Sequence, residues 1–420
     1  MWCVRNEKEM NLRTDIGPGA QILSWLLVSN IIKSLVQWAV LIILVKYFAE
    51  EEVGMFTYAT AYAAPFFLLS DMQLKSVLVV EPSGDNDHIY TYFYIRIITV
   101  VLTIVGLLSY FFIYNKINLI IVAVVSYKAC ESLLDILYGY FQKTDRMRQM
   151  ALFDIIKNVV SLSGCLTVTV ILNRVELSLF ALVLISILFA AINFIYIRTN
   201  YLHGESRTTS PTLFFDIIKK SLPLGMSVFF SSYITNYPRI VMEEYCGLET
   251  LAFFGAYSYL VIGLFQINVP IQTFLRQRLS TAYHTDNKKK FMDLIRKTLF
   301  FYVFIGLVFL AVFLLVGVYI IHFLYQDSYV DSSDVIPIMI ISQLMMSLSG
   351  LFAVAVLSFN IYTKQLFISG LVLLVVLVIS LYLIPDYGIY GGAYTGLIAA
   401  LLSLSCYTYI FTKKIKGWGV

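Results

Sequence analysis

The sequence predicts an all-α polytopic membrane protein, with twelve transmembrane helices in two six-helix lobes related by a pseudo-two-fold axis along the membrane normal. Three observations predict it: the composition, the recurrence of apolar runs long enough to cross a bilayer, and the one-sided placement of Lys and Arg. Of 420 residues, 59% are hydrophobic and 13% are charged, where a soluble domain averages roughly 25% charged. Mean hydropathy is +0.81. No soluble core could bury that much apolar surface, whereas a bilayer solvates it.

A hydrocarbon core of about 30 Å needs about 20 apolar residues per helix. Runs of that length fall near 22–46, 54–80, 90–113, 117–140, 150–172 and 177–197, then near 219–242, 250–275, 298–324, 335–359, 365–384 and 388–412. The chain divides accordingly. A cytoplasmic N-terminal segment (1–20) precedes an N-lobe (21–200). A cytoplasmic linker (201–218) leads to a C-lobe (219–412) and a cytoplasmic tail (413–420). The first segment is polar, and no cleaved signal peptide is expected from it. No stretch between the runs is long enough for a soluble domain.

Lys and Arg orient the bundle. With the N-terminus inside, the cytoplasmic segments hold 21 basic residues, from Arg5, Lys8 and Arg13 to Lys413, Lys414 and Lys416, and seven lie between Arg276 and Lys297. The outer loops hold 3: Lys46, Lys116 and Arg174. They are acidic instead, with Glu50–Glu52, Glu243–Glu244 and Asp327, Asp331 and Asp334. The loop 81–89 carries no Lys or Arg and does not follow the pattern. Both termini are therefore expected in the cytoplasm.

The halves resemble each other. Val53-Gly54-Met55-Phe56-Thr57-Tyr58-Ala59 and Leu251-Ala252-Phe253-Phe254-Gly255-Ala256-Tyr257 each follow an acidic outer loop, 198 residues apart. Six helices per half is an even number, so the repeats would be parallel. Gly392 and Gly396 form a GxxxG pair suited to close helix packing. The cysteines form no CxxC pair and the histidines lack ligand spacing, so no metal site is expected.

Charges within the runs are costly and mark a candidate pathway. The basic ones are Lys33, Lys75, Arg96, Lys128, Lys157 and Arg239, and the acids noted with them are Asp71, Glu131 and Asp135. Arg96, Lys157 and Lys75 lie within about two turns of a helix end, so snorkelling is expected of them. Asp71 at i−4 is a partner for Lys75. Lys33 lies about 11 residues into its run, or ~16 Å along the helix. Lys128 is similarly central. These two either line a cavity or hold the bundle together as interhelical ion pairs. Lys128, Glu131 and Asp135 fall at i, i+3 and i+7, on one helix face. Two carboxylates one turn apart do not both ionise easily, so Glu131 and Asp135 are candidates for proton or sodium coupling, with Asp71 as a further one. The alternative is neutralisation by Lys128 and Lys33. Arg239 either snorkels beside Glu243 or serves a cavity.

Several segments resemble polysaccharide flippases. Glu50–Gly54–Phe56 resembles an "lgpeefGlfsya" signature, and Ser221-Leu222-Pro223-Leu224-Gly225 resembles "slPlgl". Pro238-Arg239-Ile240-Val241 resembles "dri", with Pro238 in place of Asp. Arg278-Leu279-Ser280 resembles "PrLs", with Gln277 where Pro is common. Gly388-Ile389-Tyr390-Gly391-Gly392-Ala393 resembles "yGiyGAa". In this order they cover nearly the whole chain. The family is the O-antigen and polysaccharide flippases (Wzx type) of the MOP superfamily, which also holds MATE exporters and lipid II flippases.

That resemblance implies two lobes around a central cavity in a bacterial cytoplasmic (inner) membrane. The implied substrate is an undecaprenyl-diphosphate-linked oligosaccharide, flipped to the periplasmic leaflet by alternating access. Lys33, Lys128 and Arg239 would meet the diphosphate. Partners would be the lipid-linked glycan, membrane lipids, a polysaccharide polymerase and a chain-length regulator, with no nucleic acid. No cofactor is expected beyond a coupling H+ or Na+.

Two rival classes remain. A MATE-like drug exporter takes mostly cationic substrates, and six basic residues against three acids argue against it. A membrane polymerase or ligase would carry reactive residues on a large outer loop, but the longest here is about ten residues, 325–334, and no HEXXH, GxSxG or P-loop occurs.

Overall fold

The computed structural model describes residues 18–80, 89–200, 211–359 and 363–418. Arg5, Lys8, Arg13, Arg207, the loop 81–88 and the first part of the 201–218 linker lie outside the described residues. The described chain is almost wholly helical: α1 (Pro18–Tyr47), α2 (Glu50–Asp71), α3 (Leu74–Val80), α4 (Ile89–Ile113), α5 (Leu119–Lys143), α6 (Met147–Leu172), α7 (Val175–Asn200), α8 (Pro211–Leu264), α9 (Asn268–His284), α10 (Lys288–Leu324), α11 (Ile336–Ser358) and α12 (Thr363–Lys416).

Nine described spans are long and apolar enough to cross a membrane. α8 and α12 have 54 residues each; at 1.5 Å per residue that is ~80 Å, far beyond one bilayer. Each contains one non-helical glycine, Gly247 (φ 84°) and Gly388 (φ 55°), in the left-handed region that a side chain disfavours. The chain reverses at both. Gly225 in the first arm of α8 packs on Leu69 and Met72 at the end of α2, while Leu248 packs on Gly54 at its start. Beyond Gly247, Gly255 packs on Thr57, so the second arm runs parallel to α2 where the first ran antiparallel. In α12, Gly391 lies against Leu383 across the turn at Gly388. With both helices counted as two passes and α5 included, the described helices accommodate the twelve expected passes. α5 misses the apolar criterion because of Lys128, Glu131 and Asp135, the charges that turn it inward.

Two predicted spans are broken. The 54–80 run kinks at Met72 and Gln73 (φ 44° and 53°), and the 250–275 run breaks after Leu264, with α9 continuing to His284. The repeat has a geometric signature. Thr57 and Gly255, which correspond at the 198-residue offset, touch: a Cβ on Gly255 would stand 2.6 Å from Thr57 Oγ1. Equivalent residues meet in this way only on a two-fold axis. Gly392 packs against Met242 and Phe254, the close approach expected of its GxxxG pair.

Candidate functional site

α5 is the hub of the N-lobe. It is capped by the Asn118 side chain, which accepts from the Ile121 N–H at 2.9 Å. Its polar stripe faces several helices at once. Glu131 accepts a hydrogen bond from Lys157 of α6 and pairs with Lys33 of α1 at 3.5 Å. One turn on, Asp135 pairs with Lys75 of α3 at 3.1 Å and with Arg96 of α4 at 3.6 Å. Arg96 also donates to Asp71 of α2 and to Ser132 at 3.2 Å, and Ser132 donates to Asp71. Gly139 allows the approach of α3, its Cα facing the Lys75 stem. Beside this network, Ser29 donates to Asp154 at 2.6 Å.

Several expectations need correction. Arg96 and Lys157 do not snorkel: they are 0% and 1% exposed, each against a carboxylate. Depth along one helix says nothing of the acids on its neighbours, and those acids hold both cations inside. Lys75 does not snorkel or pair with Asp71. The kink at Met72 and Gln73 breaks the i,i+4 register, so Lys75 turns to Asp135 and Asp71 to Arg96. Arg239 does not pair with Glu243, which Lys116 takes at 2.7 and 2.9 Å. Burial works against the Lys116 ammonium, but hydrogen bonds to Glu243 and Tyr58 prevail and hold its pKa above that of an ordinary lysine. Asp154, buried in α6 three residues before Lys157, is a fourth acid that sequence reasoning missed. Its signal was present: an acid at i−3 from a lysine inside an apolar run.

Two predicted cations stand apart. Lys128, half-buried, has no ion pair or hydrogen bond among the described residues. It lines a cavity with Gln37, Tyr127, Asn158 and Ser161, and with Tyr259 from the other lobe. Arg239 is 6% exposed and has no carboxylate partner among the described residues. One nitrogen donates to Asn236 at 3.2 Å and the guanidinium lies 5.2 Å from the Tyr259 ring, while its Nε is unsatisfied. It opens on a second cavity, in the C-lobe, with Ser258, Ser342 and Gln343. Tyr259 stands between the two cations, facing both. The structure thus divides Lys33, Lys128 and Arg239 into one paired cation and two free of acids.

Two grooves follow the seam between the lobes. One runs between α1 and the second arm of α8, lined by Ile31, Leu35, Trp38, Leu260, Leu264 and Pro270. The other runs between α2, α4 and the first arm of α8, lined by Tyr62, Phe66, Met72, Tyr110 and Tyr233. The 198-residue offset maps one onto the other, with Leu260 on Tyr62, Leu264 on Phe66 and Leu35 on Tyr233. Their contents differ. The second is tied by rings, with Phe66 on Phe229 at 5.8 Å, Phe229 on Tyr233 at 5.3 Å, and Tyr62 bonded to Tyr110 at 2.8 Å. The first is largely aliphatic and bridged by one hydrogen bond, Gln266 to Ser34 at 2.6 Å.

Comparison with known proteins agrees with this architecture. The chain is 28% identical over 397 residues to the capsular polysaccharide biosynthesis protein CapF of Staphylococcus aureus, covering 93% of this chain and 98% of that one. The fold is similar to that of a multidrug resistance MATE family transporter of the MOP superfamily in an inward-facing conformation, with TM-score 0.72 at 11% identity over 92% and 96% of the two chains. It is similar to the lipid II flippase MurJ in an inward closed conformation, with TM-score 0.72 at 15% identity over 93% and 87%. At these identities both establish the fold alone. The polysaccharide biosynthesis protein family matches residues 20–275, more than half of the chain, so the protein is a multi-pass membrane protein of MOP architecture and belongs to the polysaccharide biosynthesis protein family.

Proposed function

We propose that the chain flips an undecaprenyl-diphosphate-linked oligosaccharide from the cytoplasmic to the periplasmic leaflet by alternating access. One observation carries this reading: Lys128 is a cation deep in the bundle, beside a cavity, with no ion-paired acid among the described residues. Glu131, one turn away on the same helix face, is taken by Lys157 and Lys33, so Lys128 is free to meet a diphosphate. Lys33 shares Glu131 with the more closely held Lys157, and a substrate phosphate can draw it away without leaving that carboxylate unpaired. Arg239 lies beyond Tyr259 and supplies a second positive wall. A buried unpaired cation costs free energy that an anionic ligand offsets. A cationic drug would gain nothing there, which favours the flippase over the exporter.

The same geometry bears on the tail and on coupling. The aliphatic groove between α1 and α8 gives a polyprenyl chain a sideways path into lipid. The ring-tied groove opposite acts as the hinge. Proton or sodium coupling through Glu131, Asp135 or Asp71 would have to displace a lysine or arginine already bound to each. We propose that both termini are cytoplasmic. Reporter fusions after residues 146 and 288 and at the C-terminus should then read cytoplasm, and fusions near 51, 246 and 330 should read outside. A C-terminus on the outside overturns the even count.

Tethering the seams tests the path of the tail. In a chain with its five cysteines replaced, Leu35→Cys with Leu264→Cys, joined by a short bis-maleimide, is expected to lower flipping at least about tenfold. The equivalent Phe66→Cys with Tyr233→Cys should leave most of it. Undiminished flipping in the first tethered protein contradicts the lateral path.

A further inference from the structure

Four helix ends converge at the basic end of the C-lobe. Tyr283 comes from the end of α9, Phe359 follows α11, Lys364 begins α12, and Tyr409, Lys413 and Lys414 end it. The segment after α12 folds against them. Trp418 packs edge-on against Tyr283 at 4.9 Å and Phe291 at 5.1 Å. Its indole N–H donates to Asp286 at 2.6 Å, and Lys288 donates to its carbonyl at 2.6 Å. Lys364, Lys413 and Lys414 line an open cleft there together with Tyr283, Phe359 and Trp418.

Among the described residues none of these three lysines has an ion pair or a side-chain hydrogen bond. The nearby acid, Asp286, is already engaged by Trp418. Three ammonium groups around one space repel each other unless an anion joins them. Their depth identifies it. Lys364 stands just before the apolar run 365–384, and Lys413 and Lys414 stand just after the run 388–412. The cavity therefore sits at headgroup level, where Tyr and Trp are favoured and basic pockets between helices recognise lipid phosphates. From this convergence we infer that the cavity binds the phosphodiester headgroup of an anionic phospholipid, with the lysines on the phosphate and the acyl chains descending beside the aromatic wall. The site is separate from the Lys128 cavity and does not depend on what that cavity carries.

The test uses the purified full-length chain in a neutral detergent, with native mass spectrometry to count bound lipid and thermal unfolding to measure stabilisation. The probes are phosphatidylglycerol, phosphatidylcholine and inorganic phosphate at equal concentration. One phosphatidylglycerol should be retained and should raise the unfolding temperature. Lys364→Gln/Lys413→Gln/Lys414→Gln should weaken that binding at least about tenfold. Lys289→Gln/Lys290→Gln/Lys297→Gln, an equal change of charge elsewhere, should not. If the first variant cannot be recovered, Lys364→Gln alone should weaken binding severalfold. Unchanged binding in the Lys364 variants, equal loss in the control, or equal retention of phosphatidylcholine overturns the site. Stabilisation by inorganic phosphate equal to that by phosphatidylglycerol overturns the lipid as its occupant.

Discussion

Replacing Lys128 with alanine is expected to lower transport of the lipid-linked glycan roughly 10- to 100-fold while the protein accumulates normally. A charged hydrogen bond to phosphate contributes about 1.5–3 kcal/mol, which is one to two factors of ten in binding. Lys128 has no ion pair or hydrogen bond among the described residues, so its loss strands no buried carboxylate and leaves the bundle intact. Lys128→Arg should retain part of the activity, because charge is kept while the guanidinium is wider. Export in a strain lacking the native gene, compared with protein level in the membrane, reads both effects. Full export by Lys128→Ala would remove this residue from the substrate path.

The opposite pattern is expected at Glu131. Lys157 is 1% exposed and, among the described residues, forms its one ion pair with this carboxylate, which Lys33 also faces. Glu131→Ala leaves Lys157 buried and uncompensated, a loss of about 3–5 kcal/mol for a buried pair broken on one side. Folded protein recovered from the membrane should fall sharply. Glu131→Gln with Lys157→Met removes both charges and should restore much of the yield, since replacing a buried pair with neutral groups is often tolerated. The yield of monodisperse protein in detergent, with its unfolding temperature, measures this. If Glu131→Ala were as stable as the wild type, α5 would not be the charge hub described here.

The contrast between these two residues shows what the sequence could and could not reveal. Lys128, Glu131 and Asp135 were legible as one stripe because a helix repeats every 3.6 residues. The spans were legible because apolar length is a property of each segment alone. Which cation meets which acid depends on neighbours brought together only by folding. Arg96 and Lys157 looked like snorkelling residues because their depth was visible and Asp71 and Glu131 opposite them were not. The left-handed turn at Met72 and Gln73 carries neither Gly nor Asn, so nothing warned that Lys75 and Asp71 would part. The reversal at Gly388 had a glycine-rich signal; the one at Gly247 was marked only by one glycine after an acidic pair. Tyr259, which stands between the two free cations, was one of thirty tyrosines with nothing local to single it out.

The role proposed for the cavity beside Lys128 is to move a lipid-linked diphosphate glycan. The most direct test is translocation in proteoliposomes that hold only this chain and a fluorescent undecaprenyl-diphosphate oligosaccharide. The wild-type chain should transfer it between leaflets well above the protein-free rate, Lys128→Ala should not, and a cationic dye enclosed in the same vesicles should stay where it is. Transport of the dye with no transfer of the glycan would contradict the account and establish the chain as an exporter of cations.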